Sequence, residues 1–155
     1  MKTSNEKPGL FSTIERIDLG FKVFKLGRSN FNIWNADLPK DVDSIQTALD
    51  LHTDHVMDSA KPESILYELL LKSGFDFTTS IEKIEIKGKS VFSIENGELL
   101  ICLEKNLTQE LIKTIAEKQP TRVICLDEGF QNNDQLKTNA VQIMKSKNVV
   151  SFRTV

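Results

Sequence analysis

The chain has few of the residues that mark a dedicated chemical site. Its four prolines, Pro8, Pro39, Pro62 and Pro120, are never adjacent. This excludes the Pro-Pro loop, closed by an aromatic residue, with which AdoMet-dependent amino-methyltransferases grip a target amino group. Seven glycines supply no Walker loop, and the turn after Leu103 (Glu104 to Thr108) contains none, so no dinucleotide fingerprint follows that strand-like run. The two histidines, His52 and His55, share one segment, and no serine sits in a nucleophile elbow, which leaves no basis for a hydrolase triad. No apolar run approaches the ~20 residues needed to cross a bilayer. The opening MKTSNEKPG is polar with no apolar stretch behind it, so no secretory signal is expected and a cytoplasmic location is.

Two cysteines, Cys102 and Cys125, lie inside the apolar runs ELLICL and RVICL without a CxxC pair. Neighbouring strands could bring them close, but a disulfide demands Cβ geometry that sequence does not show. Reduced thiols acting as small core hydrophobes are the expected state. Charge is also nearly absent in sum: 20 Lys+Arg against 22 Asp+Glu leave a net −2. There is no global attraction to nucleic acid, although a local basic patch stays open.

What is present is the material of one globular domain. A chain of 155 residues buries roughly 68–70% of its unfolded surface, enough for a core without staples. Residues 1–17 are polar and read as an arm or linker, with residues 18–155 as a single α/β domain. Phe21 to Leu26 alternates apolar and Lys residues with one step out of phase, a strand with a bulge. Ser29 to Trp34 alternates again. From Asp41 to Met57 the period becomes helical, with Val42, Ile45, Leu49, His52 and Val56 on one stripe. Asp50, Asp54 and Asp58 repel one another at i,i+4 on the other face, so this helix needs tertiary support. The next helix starts at Pro62 and closes at Gly74.

Residues Ile81 to Ile94 read as a hairpin turning at Gly88, and Asn96-Gly97 turns the chain into a strand at Leu99 to Leu103. Thr108 caps a helix that Pro120 stops; Arg122 to Leu126 is a strand buried on both faces; Asn133 caps the last helix; Val149 to Val155 is the last strand. The expected fold is therefore a mixed α/β sheet. Its N-terminal part is antiparallel, its C-terminal part a parallel β-α-β-α-β segment, and helices pack on the sheet.

Three groups of residues are candidates for function. His52, His55 and Asp58 have helical spacing for zinc, but His52 lies on the apolar stripe, which favours a core histidine beside a solvated acidic face. Glu104, Asp127 and Glu128 stand at the carboxyl ends of strands, where ligand sites gather in open parallel sheets; there they could hold Mg²⁺ for phosphodiester chemistry. The competing explanation is that acidic residues before helices favour the N-terminal dipole. Lys83, Lys87 and Lys89 flank the hairpin and could contact phosphates of DNA, or simply guard a sheet edge against pairing.

Six segments carry a family resemblance: Asp18 to Leu26, Ser29 to Trp34, Ile65 to Thr78, Gly97 to Glu104, Arg122 to Phe130 and Leu136 to Lys145. In order and wording they resemble the C-terminal region of the modification (Mod) subunit of type III restriction-modification systems. Those subunits are site-specific adenine-N6 DNA methyltransferases. None of the six is a catalytic motif, and the family's AdoMet-binding F-x-G-x-G and proline loop are absent from this sequence. The resemblance thus implies no catalytic or cofactor-binding residue here, with AdoMet a cofactor of the parent protein only. It implies a non-catalytic domain supporting Mod self-association, docking of the restriction (Res) subunit, or both, with DNA reached through the parent and no membrane contact. Phe21, Phe24, Phe31, Trp34 and Phe130 are the aromatic candidates for interface anchors, with core packing as their other use.

Overall fold

In the computed structural model, which describes residues 21–32 and 56–155, helix α1 spans Pro62–Lys72. Pro62 fits its first turn because the missing N–H would have no helical partner. At the other end Phe75 N–H donates to Leu70 O and Gly74 N–H to Leu71 O, with Gly74 at φ +86°. This Schellman closure requires a left-handed residue, which glycine supplies without a Cβ clash.

Strands β1 (Ile81–Ile86) and β2 (Lys89–Ile94) form a hairpin. Lys87 and Gly88, the two residues between them, both have positive φ (53° and 74°), the turn geometry whose twist matches that of paired strands. A short 3₁₀ turn at Glu95–Gly97 leads into β3 (Leu99–Cys102), antiparallel to β2. Helix α2 (Gln109–Glu117) follows, capped by Thr108, whose side chain accepts from Leu111 N–H. Then come β4 (Arg122–Cys125), a 3₁₀ turn at Asp127–Phe130, helix α3 (Asp134–Ser146) capped by Asn133, and β5 (Ser151–Thr154). β4 pairs in parallel with both β3 and β5, giving a mixed five-stranded α/β sheet in the order β1-β2-β3-β4-β5.

Strand alternation divides the core between the two faces. Leu100, Cys102, Val123 and Cys125 pack with Leu111, Ile112 and Ile115 of α2 and Ala140 and Met144 of α3. Leu99, Ile101 and Ile124 pack with Ile65, Leu66, Leu69 and Leu70 of α1. Every residue of β3 is buried, the consequence of being covered on both sides and the reason its sequence is a continuous apolar run. Gly129 sits where a Cβ would lie 2.6 Å from Glu104 O and 2.8 Å from Leu107 Cγ. Its own carbonyl accepts from Leu107 N–H at 2.8 Å, so this crossing of loops is built on the absence of a side chain.

Two expected elements are corrected. Phe21 to Leu26 forms no strand; instead Phe24 packs on Tyr67 of α1 and on Phe77, a docking that replaces strand pairing. The helix expected over Asp41 to Met57 does not reach its predicted end. Val56 forms an antiparallel bridge with Phe31, and Met57 N–H donates to Asn30 O at 2.9 Å rather than back along a helix. The rest of that helix, with His52 and His55, lies outside the described residues, as do the arm at 1–17 and Trp34. No described helix is long and apolar enough to cross a membrane.

Candidate functional site

The most elaborate polar arrangement in the described residues is centred on Glu68, in the middle of α1. Glu68 Oε1 accepts from Ser29 Oγ at 2.6 Å, and Oε2 accepts from Asn30 N–H at 2.7 Å and Asn30 Nδ2 at 2.8 Å. Lys72, one turn on, donates to Oε1 at 2.8 Å. Burial pushes the carboxyl upward, but the hydrogen bonds from Lys72, Ser29 and both nitrogens of Asn30 outweigh it and hold the pKa at about 2 instead of 4.5. Four donors converging on one carboxylate favour its charged form. The result is a clasp that ties residues 29–31 onto α1, some 38 residues away in sequence.

Beside the clasp the segment carries its aromatic residues. Phe24 stacks on Phe77 with ring centroids 4.1 Å apart and meets Tyr67 edge-on at 4.9 Å. Lys72 Nζ lies 4.4 Å from the centre of the Phe31 ring. Phe21 is 87% exposed, with Val23 and Leu26 also outside, while Phe24 at 38% is partly covered. Of the aromatic candidates, Phe21 and Phe24 are thus at the surface and Phe31 packs against the α1 side of the core. Phe130 takes the other of its two expected uses: at 3% exposure it belongs to the α2–α3 core, edge-on to Phe152 at 6.5 Å. It follows a strand that ends in the core and is drawn inside with it.

The strand-end carboxylates are each engaged by a separate lysine. Glu104 accepts from Ser90 N–H at 2.9 Å and pairs with Lys89 at 3.5 Å. Glu128 pairs with Lys105 at 3.2 Å, and Asp127 with Lys137. Among the described residues no group of three or more His, Cys, Asp or Glu side chains is placed to hold a metal ion. The lysines of the hairpin are not gathered into one patch. The register places Lys89 opposite Ile86, on the α2–α3 face, whereas Lys83 opposes Phe92 on the other. Lys87 occupies the turn between them.

Cys102 and Cys125 are directly paired across β3 and β4, and both are free and buried. The Cys102 thiol beside it, together with complete burial, pushes the Cys125 thiol well above its ordinary pKa. A thiol in that state is a poor nucleophile. Both thiols are buried, and the pair fills the core between β3 and the helices.

The composition gave no warning of two features. Glu68 lies beside the apolar face formed by Ile65, Leu66, Leu69 and Leu70 and reads as an ordinary solvated carboxylate until the fold brings Ser29 and Asn30 to it. Around β5, Arg153, Arg122 and Lys72 line one groove, and Val141, Val150 and Phe152 another. Scattered through the sequence, these residues share no motif. Comparison with known protein families and with curated proteins finds no match for this chain.

Proposed function

We propose that this chain is the non-catalytic C-terminal domain of a type III restriction-modification Mod subunit, acting in assembly and not in methyl transfer. The observation that carries the reading is the ordered set of six segments resembling that region. Four of them, Ile65 to Thr78, Gly97 to Glu104, Arg122 to Phe130 and Leu136 to Lys145, supply α1, β3, β4 and α3, the elements that build both halves of the core. On this reading β3 through β5 are two right-handed β-α-β crossovers extended by the antiparallel hairpin. The domain's partners are a second Mod subunit and the Res subunit, and DNA and AdoMet are handled by the parent's other parts in the cytoplasm.

The surface of the segment at 21–26 supports an assembly role, because Phe21, Val23 and Leu26 present apolar side chains to solvent beside α1. The test is titration of the purified chain with AdoMet in a calorimeter, followed by a methyl-transfer assay on DNA. The reading expects neither binding heat nor labelled adenine. Turnover by the isolated chain would overturn it. Mg²⁺-dependent cleavage of DNA that disappears in Asp127→Ala would replace it with a small phosphodiester enzyme.

A further inference from the structure

β5 is the last strand of the sheet among the described residues, and its outer edge is equipped to receive another strand. Val155 N–H donates to Cys125 O, and Val155 O accepts from Asp127 N–H. Ser151 N–H likewise donates toward β4, to Thr121 O. In a parallel ladder every second residue turns its N–H and C=O to the same neighbour. Ser151, Arg153 and Val155 therefore face β4, and the backbone groups of Phe152 and Thr154 point away from it, along an edge that no other described strand occupies.

Grooves of similar size flank this one strand on opposite faces. On the α1 side a groove of about 260 Å³ is lined by Lys72, Arg122, Ser151 and Arg153. Lys72 and Arg122 answer to Glu68 and Glu98, while Arg153 is exposed and makes no ion pair with a described residue. On the α3 side a groove of about 240 Å³ is lined by Val141, Met144, Val149, Val150 and Phe152, with Lys145, Ser151 and Arg153 completing it. Val150 is 80% exposed and Val141 is also at the surface. Both grooves mix apolar and charged residues, but the side chains of β5 itself alternate: Arg153, opposite Ile124, turns to the α1 side, and Phe152, opposite Val123, to the α3 side.

We propose that β5 is a strand-addition site for an extended segment of a partner protein in which acidic and apolar residues alternate. The chemistry follows from the pleat. Side chains of an added strand project alternately to the two faces, so one set meets Arg153, the cation of the α1-side groove without an ion pair to a described residue, while the other covers Val150, Phe152 and Val141 beside the exposed Lys145. Main-chain bonds to Phe152 and Thr154 supply the common affinity, and the two grooves supply selectivity. A second copy of this chain fits less well as occupant, because pairing β5 with itself offers Arg153 no acidic partner. The inference rests on strand geometry and charge, independently of the family proposed above, and its failure would leave that reading standing.

The test uses the full chain and a blocked octapeptide of alternating Val and Glu. Two controls are the same composition arranged as four Val followed by four Glu, and an alternating Val-Lys peptide. The alternating acidic peptide should bind at least tenfold more tightly than either control, and its affinity should fall with salt. Amide hydrogen exchange should slow at Phe152 and Thr154, with Ser151, Arg153 and Val155 little changed because β4 already holds them. Arg153→Glu should weaken binding at least tenfold. Thr154→Pro, which removes only an outward-facing N–H at an edge position where proline is tolerated, should also weaken it at least tenfold while the circular dichroism spectrum is kept. Equal binding of the Val-Lys or block peptide would overturn the proposal, as would protection confined to other amides. Concentration-dependent protection of Phe152 and Thr154 without peptide would overturn it in favour of a second copy.

Discussion

Replacing Glu68 by Gln should release the segment at residues 29–31 from α1 without disturbing the sheet. The substitution keeps the shape but turns one acceptor oxygen into a donor. Whichever way the amide is oriented, its nitrogen meets either Ser29 and Lys72 or the two nitrogens of Asn30. A carboxyl held at about 2 rather than 4.5 corresponds to about 3 kcal/mol at most. Screening by the adjoining solvent reduces this to roughly 1–2 kcal/mol. Exchange of the Asn30 and Met57 amides should then accelerate about 5- to 30-fold, while Leu100 and Ile101 in β3 keep their protection. Acid should mimic the mutation. Because the folded-state pKa is depressed, the contribution is complete above pH 4.5 and is lost as pH falls toward 2. Unchanged exchange at Asn30 and Met57 in Glu68→Gln would refute the clasp. Equal loss of protection throughout the sheet would refute its separateness from the core.

Other substitutions probe the packing. Gly129→Ala should destabilise by about 1–3 kcal/mol in urea unfolding, because the new methyl meets Glu104 O and Leu107; an unchanged midpoint would contradict the close approach. Ile101→Ala, removing a fully buried side chain of β3 from the α1 face, should cost about 2–5 kcal/mol by the same measurement. Cys102 and Cys125 should resist Ellman's reagent in the native protein and react together on unfolding, given their burial and the raised pKa of Cys125.

Local chemistry was readable where a short stretch decides its own conformation. Lys87-Gly88 has the composition of a tight hairpin turn, Thr108 and Asn133 cap as their side chains allow, and Pro62 and Gly74 bracket α1. The uninterrupted apolar run of β3 announced a strand covered on both faces. Reading failed where a segment's conformation depends on a distant partner. Phe21 to Leu26 alternates well enough for a strand, yet no described strand pairs with it, and Tyr67 of α1 packs on its Phe24 instead. Val56 follows a helical stripe but is claimed by Phe31. Lys83 and Lys89 look adjacent in sequence and are separated by the pleat. The charge and apolar surfaces beside β5 come from three elements, α1, α3 and the sheet, that only the fold assembles.

The assembly role itself is open to one direct measurement. The chain is mixed with the Res subunit and the methyltransferase core of a type III system, and the mass of the eluting species is read by light scattering. The account predicts a stable complex containing this chain together with one or both subunits. Elution of the chain at its own mass, alone across micromolar concentrations of both, would contradict it.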